Sequence, residues 1–154
     1  IQTSLVGSEM CIRDRTPAIL SLLGMEAGID ITLEAGIKLL QEKSIQQSEA
    51  FIKKVIRELV PLGFSIESPL DYRKRGSHVT ISHPASWQIC QALIAGNDEH
   101  PKIIPDFRPP NFIRFGITPL YTRFEEIKRV IEVLKEIVER KLYLNFPLEK
   151  LEVT

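Results

Sequence analysis

The 154-residue sequence predicts an α+β domain with a small, largely antiparallel sheet covered by helices on one face. Two patterns support this class. Long segments carry apolar residues every three or four positions, as in helices, and short runs are rich in β-branched and aromatic residues, as in strands. Their order is helix, helix, strand, strand, helix, strand, strand, helix, which is typical of a sheet that packs against helices.

Two helices are predicted first. "TPAILSLLGMEAGIDI", residues 16–31, begins with a threonine that can cap a helix and a proline at the first helical position, where proline costs least. A longer helix follows, and "PLG" at 61–63 ends it. Its predicted buried positions are Ile37, Leu40, Ser44, Ile45, Ser48, Phe51, Ile52, Val55, Ile56 and Leu59.

Four extended segments and two more helices complete the predicted domain. The strands are expected at 64–68, 77–82, 103–107 and 112–117, separated by turn-rich pieces, with a helix at about 85–95 between the second and third. In the last helix, Thr122 followed by Glu125 has the spacing of a capping box. Its predicted buried stripe is Phe124, Ile127, Ile131, Leu134 and Val138.

The first fifteen residues, "IQTSLVGSEMCIRDR", show no sustained periodicity of either kind. We expect them to be a non-native leader that arose in sequencing or assembly, and leaders of this kind are excluded from fold reasoning. The predicted domain therefore spans residues 16–154.

Composition argues against several classes of partner. The sequence has 20 basic and 20 acidic residues, so no overall charge attracts it to nucleic acid or to an anionic membrane. It has no apolar stretch of membrane-spanning length and no secretory signal layout. Cys11 and Cys90 are far apart and not in ligand-like spacing, which favours a reducing, cytoplasmic location without disulfides.

No complete catalytic set is visible in the sequence. It lacks a glycine-rich phosphate loop, a Gly-x-Ser-x-Gly elbow and a His-Glu-x-x-His helix. His78 and His83 would face opposite sides of one strand and His100 lies in a polar loop, so no metal site is predicted. The basic turn "DYRKRGSH", residues 71–78, is typical of a solvated loop, with anion binding as the alternative. Asp106 and Arg108 share one strand face, as a structural ion pair or as part of a site.

The most informative segment is "NFIRFGITPLY", residues 111–121. In an extended chain Ile113, Phe115 and Ile117 point to one side, while Phe112, Arg114 and Gly116 point to the other. Gly116 leaves space beside the Arg114 guanidinium, a planar fork that suits one carboxylate held by two hydrogen bonds. The alternative is an arginine on the solvent face of an edge strand.

The segments "TPAILSLLGMEAGIDI", "KRGSHVTISHP", "ICQALI" and "IPDFRPPNFIRFGITPLYTRF" occur in an order and spacing that resemble the C-terminal part of bacterial-type kynureninases. The resemblance runs from Thr16 to about Lys141. It departs from the family at 95–103, where "AGNDEHPKI" replaces a shorter turn. Extra residues in a surface loop are easily tolerated, so the departure leaves the expected fold unchanged.

This resemblance implies the small C-terminal domain of a fold type I, pyridoxal-phosphate-dependent homodimer. Such an enzyme hydrolyses L-kynurenine or its 3-hydroxy form to the corresponding anthranilate and alanine, in tryptophan catabolism and NAD biosynthesis. The family's Schiff-base lysine belongs to a preceding large domain, and no lysine here matches its motif. The chain alone is therefore expected to be inactive, with no catalytic residue of its own.

Two residues match family site positions. Arg114 matches the arginine that binds the substrate α-carboxylate, and Thr16 matches a polar position near the cofactor that reaches across the dimer. Two alternatives remain open. One is another fold type I pyridoxal-phosphate enzyme, aminotransferase-like or desulfurase-like, and the other is a non-enzymatic α+β module that uses Arg114 to bind an amino acid.

Overall fold

The structure is a computed structural model that describes residues 19–96 and 101–148. The predicted leader at 1–15, Thr16 and His100 lie outside the described residues. The chain divides into two compact units, Ile1–Ile37 and Lys38–Thr154. Each unit is described by itself.

The first unit contains helix α1, Ile19–Ala35. The predicted apolar helix is confirmed and continues four residues beyond Ile31. Its end follows from Gly36, whose left-handed backbone (φ 80°) lets its N–H donate to Thr32 O at 3.0 Å. None of the residues of α1 is buried. No described helix, α1 included, combines the length and apolar character needed to cross a membrane.

The second unit begins with helix α2, Ile37–Lys54, which continues through a π-helical turn, Val55–Leu59, and a 3-10 turn, Val60–Leu62. Gly63 ends it in the left-handed region (φ 94°), as "PLG" predicts. Six of the ten positions of the predicted stripe are buried, namely Ser44, Ser48, Phe51, Ile52, Val55 and Leu59. Leu40 and Ile45 are half-buried, and Ile37 and Ile56 are exposed, at the first position of α2 and in the π-helical turn.

Four antiparallel strands form one sheet in the order β1-β2-β4-β3. Their bounds are Ser65–Ile66, His78–Ser82, Asp106–Arg108 and Phe112–Gly116, from β1 to β4. β3 begins three residues later than predicted. Pro105 has no N–H for a strand ladder, and Ile103 N donates to Leu93 O at 2.9 Å, so this segment is tied to a helix instead.

Helices α3, Ser86–Ala95, and α4, Phe124–Glu139, pack with α2 on one face of the sheet. The core joins sheet and helix side chains, for example Phe51 and Phe115, whose ring centroids are 5.3 Å apart. Its strand members are Val79, Ile81, Ile113 and Phe115, and Ile117 directly follows β4. Cys90 of α3 is buried in the same core, and burial raises the pKa of its thiol to about 12. The predicted α+β class with one covered sheet face is confirmed.

The start of α4 differs from the prediction by one residue. Arg123 is the cap, and its N–H donates to Glu126 Oε2 at 2.7 Å, so Glu126 takes the place expected of Glu125. Thr122 is not the cap because its Oγ1 accepts from Thr118 N at 3.2 Å within the preceding turn. Phe124 is correspondingly exposed and Val138 only half-buried. The buried residues of α4 are Ile127, Ile131, Val133, Leu134 and Ile137.

Candidate functional site

Arg114 lies in the middle of β4, on the sheet face opposite the helices. The predicted alternation is confirmed, since Ile113, Phe115 and Ile117 are buried while Arg114 is 37% exposed. The alternative is wrong in placing Arg114 on an edge strand, because β4 is hydrogen-bonded to β2 on one side and β3 on the other, but Arg114 does lie on the solvent-facing side of the sheet. Arg114 is therefore attached to an inner strand, whose backbone is hydrogen-bonded to a neighbouring strand on each side.

Asp106 is the neighbour of Arg114 across the sheet, since their Cα atoms are partners in the β3–β4 register. Its Oδ2 accepts a hydrogen bond from Arg114 Nη2 and another, at 2.9 Å, from Arg108 Nε. Desolvation raises the pKa of Asp106, but the hydrogen bonds and charges of the two arginines outweigh it and hold that pKa below its ordinary value. The carboxylate is thus ionised at neutral pH between two cations.

An open depression of about 430 Å³ lies beside the Arg114 guanidinium. Gly116 forms part of its floor, and a β-carbon built there would meet no atom within 4 Å. The predicted open space beside the arginine is therefore present. The remaining lining residues are Ser77, His78, Ile117, Thr118 and Pro119.

Polar side chains of α2 hold the two segments that border this depression. Lys43 Nζ donates to Pro119 O at 2.6 Å, and Gln47 Nε2 donates to Thr122 O at 2.7 Å. Ser44 Oγ lies 3.0 Å from Ser77 Oγ, within hydrogen-bond distance. Sequence reasoning placed Ser44 in an apolar stripe and did not single out Gln47. The sequence does contain a signal for these contacts, because Ser44 and Gln47 lie on the buried side of the helix, and buried polar side chains need hydrogen-bond partners.

The basic turn at 71–78 is only partly solvated. Arg75 is buried and donates to Pro69 O, Leu70 O, Ser48 Oγ and the Glu49 carboxylate of α2. The guanidinium of Arg73, which is exposed, donates two hydrogen bonds to the Asp71 carboxylate, at 3.0 and 3.1 Å. Both arginines already hold groups of this chain, so the turn gives no support for the anion-binding alternative.

The histidines have separate surroundings. His78 is exposed at the rim of the depression, whereas His83 is buried, with ring centroids 4.7 Å from Phe64 and 6.2 Å from Tyr143. His83 Nδ1 accepts from Ala85 N at 3.0 Å. Desolvation lowers the pKa of His83, against a smaller opposing effect of a backbone hydrogen bond. Within 19–96 and 101–148, no cluster of three His, Cys, Asp or Glu side chains could hold a metal.

No lysine lines the depression among the described residues. Lys43 lies near the depression, but its ammonium donates a hydrogen bond to Pro119 O. The described part of the chain therefore does not fit a cofactor that is held through a lysine Schiff base. It does fit one planar carboxylate, because a single Nη2 donor of Arg114 is engaged by Asp106 and the guanidinium has five N–H donors in all.

Comparison with known proteins identifies the family of the chain. The family description "Kynureninase C-terminal domain" matches residues 40–134. The chain is 36% identical over 135 residues to the kynureninase of Geobacillus thermodenitrificans, covering 88% of this chain and 30% of that protein. The kynureninase of Bacillus anthracis is 36% identical over 131 residues (85% and 29%), and that of Pseudomonas fluorescens 35% over 128 residues (83% and 30%). The chain thus spans about 30% of the length of these curated relatives.

Proposed function

Because this chain belongs to the kynureninase family, which it matches through the C-terminal domain, we propose that it forms the substrate-carboxylate-binding part of a kynureninase. The complete enzyme would hydrolyse L-kynurenine, or its 3-hydroxy form, to the anthranilate and L-alanine. Its pyridoxal phosphate and Schiff-base lysine would belong to the remainder of the enzyme. Residues 16–154 would be the C-terminal portion, preceded by a leader at 1–15.

The observation that carries the proposal is the placement of Arg114. A permanent cation projects from a central strand into an open depression, and one carboxylate of the chain engages it through a single nitrogen. The other donors of the guanidinium can take both oxygens of an amino-acid carboxylate, the geometry for which arginine is better suited than lysine.

In this proposal the role of the chain is positioning. Pyridoxal phosphate, when bound, would supply an electron sink for substrate carbanion chemistry, and the residues of this chain would orient the substrate towards it. Arg114 fixes the α-carboxylate at one end of the depression, which sets the direction of the bonds at the substrate Cα. Correct orientation of a reacting group can contribute several kcal/mol to lowering a barrier.

Thr16, the homodimer and the cytoplasmic location remain parts of the proposal that rest on family resemblance. In a homodimer Thr16 would lie near the cofactor of the partner subunit.

A hybrid enzyme tests the function. Residues 16–154 would replace the matched region of the Geobacillus thermodenitrificans kynureninase, and anthranilate fluorescence would report turnover of kynurenine. We expect a hybrid that binds pyridoxal phosphate to hydrolyse kynurenine. We expect the 154-residue chain alone, with added pyridoxal phosphate, to form no anthranilate.

The same preparations distinguish the alternatives. A folded, cofactor-bound hybrid that transaminates or desulfurates amino acids but leaves kynurenine intact would favour another fold type I enzyme. Tight binding of kynurenine or alanine to the 154-residue chain alone would favour an amino-acid-binding module, since an enzyme fragment should lack most of the substrate contacts. Turnover by the chain alone would contradict the assignment of the lysine to another part of the enzyme.

A further inference from the structure

A single carboxylate oxygen joins two arginines on the open face of the sheet. Oδ2 of Asp106 accepts from Arg108 Nε within β3 and from Arg114 Nη2 on β4. The register sets this arrangement, since Asp106 and Arg114 are direct Cα partners. All three side chains are thus attached to backbone that the hydrogen bonds of the sheet hold in place.

Stability gives little reason for this cluster. The side chains are 57%, 43% and 37% exposed for Arg108, Asp106 and Arg114, and ion pairs with such exposure contribute little to the free energy of folding. The cluster does, however, restrict the rotamers of the one arginine that borders the depression. A free arginine side chain has many rotamers, so restricting them before binding removes part of the entropic cost of binding.

The cluster also sets the local charge. Two guanidiniums and one carboxylate leave one net positive charge, which one substrate carboxylate neutralises. Because Asp106 accepts from one N–H of Nη2, four N–H donors of the Arg114 guanidinium remain for a ligand, and they point away from the Asp106 carboxylate. The direction from which a carboxylate can approach is therefore restricted.

We infer that Asp106 is a positioning residue for Arg114, held in turn by Arg108, and that it presents the arginine fork to the substrate carboxylate in one orientation. This inference rests on the proposed function of Arg114 and goes beyond it, since the family resemblance carries over Arg114 and Thr16 alone. Asp106 touches no substrate and acts only through the arginine.

The kinetic test uses the hybrid enzyme. Asp106→Asn keeps the size of the side chain but removes its charge, and we expect kcat/KM for kynurenine to fall about 10- to 100-fold, as for a misplaced binding group. Asp106→Glu should recover part of the loss. Asp71→Asn is the matched control, because it removes the charge from another exposed Arg–Asp pair, that of Arg73, and should leave kcat/KM unchanged.

A double-mutant cycle separates positioning from a general structural effect. In an Arg114→Ala background Asp106→Asn should change kcat/KM by less than about twofold, since the residue through which it acts is gone. The inference would be overturned if Asp106→Asn lowered kcat/KM equally in the wild-type and Arg114→Ala backgrounds, or if it caused no loss in the wild-type background. If Arg114→Ala alone left kcat/KM unchanged, the assigned role of Arg114 would fail as well, so the two failures are distinguishable.

A second measurement needs only the 154-residue chain. In ¹⁵N-labelled protein the heteronuclear NOE of the Arg114 Nε–Hε group reports the mobility of its guanidinium. We expect a rigid value in the wild type and a clearly lower value in Asp106→Asn, with the Arg73 signal unchanged. An Arg114 signal that is equally rigid in both proteins would overturn the inference even if the hybrid could not be prepared.

Discussion

Arg114 shows how one residue can be placed by local geometry and given its role by its neighbours. Strand alternation puts it on the open face, and β4 lies inside the sheet, so its position does not depend on a flexible edge. Its partner Asp106 comes from another strand. The proposed substrate contact therefore depends on both the sequence of β4 and the pairing of β3.

In the hybrid enzyme Arg114→Ala should lower kcat/KM for kynurenine by about 30-fold to several thousand-fold, which corresponds to losing one partner of a charge-assisted pair at about 2 to 5 kcal/mol. Arg114→Lys should restore part of the loss, because a point charge lacks the planar fork. Arg73→Ala is the control, since the exposed Arg73 guanidinium pairs with Asp71 of its own turn. Near-normal kinetics for Arg114→Ala, or an unfolded domain, would indicate a structural role.

His83 is the residue for which pH dependence follows from the structure. Burial lowers the pKa of His83 below 6.5, so the unfolded chain binds its proton more readily than the folded chain. The resulting stability is present above the unfolded pKa of about 6.5 and is lost as pH falls through the folded pKa. We therefore expect the unfolding midpoint of the wild type to decrease as pH is lowered below about 6.5.

The variant His83→Asn should reduce that dependence, because asparagine keeps an acceptor for Ala85 N and does not titrate. Thermal unfolding followed by circular dichroism between about pH 7.5 and 4.5 measures the difference. His78→Asn is the matched control, since it removes an exposed imidazole and leaves the buried His83 in place. Parallel curves for wild type and His83→Asn would contradict the burial argument.

At the scale of elements, the start of α4 differs from the one that residue spacing predicts. Two candidate acids lie in the first turn, Glu125 and Glu126, and only Glu126 accepts from the cap N–H of Arg123. An arginine side chain has no acceptor, so the reciprocal half of a Ser or Thr capping box is missing. The single carboxylate contact should carry the capping energy.

Glu126→Ala should therefore lower the free energy of unfolding by about 1 kcal/mol, the usual cost of a lost cap. Glu125→Ala is the control, because it removes the same charge from the same turn without a cap contact and should cost only the smaller helix-dipole effect. Urea unfolding of both variants measures the difference. An equal effect of the two substitutions would show that the cap contact contributes nothing beyond charge.

At the scale of the whole molecule, the two ends of the chain should differ in importance. Deleting residues 1–15 should leave the unfolding midpoint nearly unchanged, since their sequence has no periodicity that would bury an apolar face. Deleting the same number at the other end, 140–154, should lower the midpoint by about 5 °C or more. That segment packs Tyr143 and Phe146 on the core, and Phe146 O accepts from Gln88 Nε2 at 2.7 Å.

Differential scanning calorimetry of the two truncated proteins measures both midpoints under the same conditions. A large drop after removal of 1–15 would show that this segment is a structural element of the native protein and not a leader. A midpoint unaffected by removal of 140–154 would show that the core contacts of Tyr143 and Phe146 contribute little.

By itself the sequence determined the local features of this protein. Helical and strand periodicity depends on backbone geometry over a few residues, so the α+β class, the four strands, the helix at 85–95 and the outward direction of Arg114 were predictable. The ends of elements were less so. β3 begins later than predicted because the N–H of Ile103 donates to Leu93 O of helix α3 and not to a neighbouring strand. α4 begins one residue later than predicted because Thr122 Oγ1 accepts from Thr118 N and does not cap the helix.

The tertiary structure alone decided which of these residues meet. Asp106 joins Arg114 through the β3–β4 register, Arg75 is buried against α2, and Lys43 reaches Pro119, 76 positions further along the chain. The burial of the whole core fixes such contacts, and no short segment contains the information that sets them. The candidate site is therefore an arginine that the sequence points to, in surroundings that only the folded chain creates.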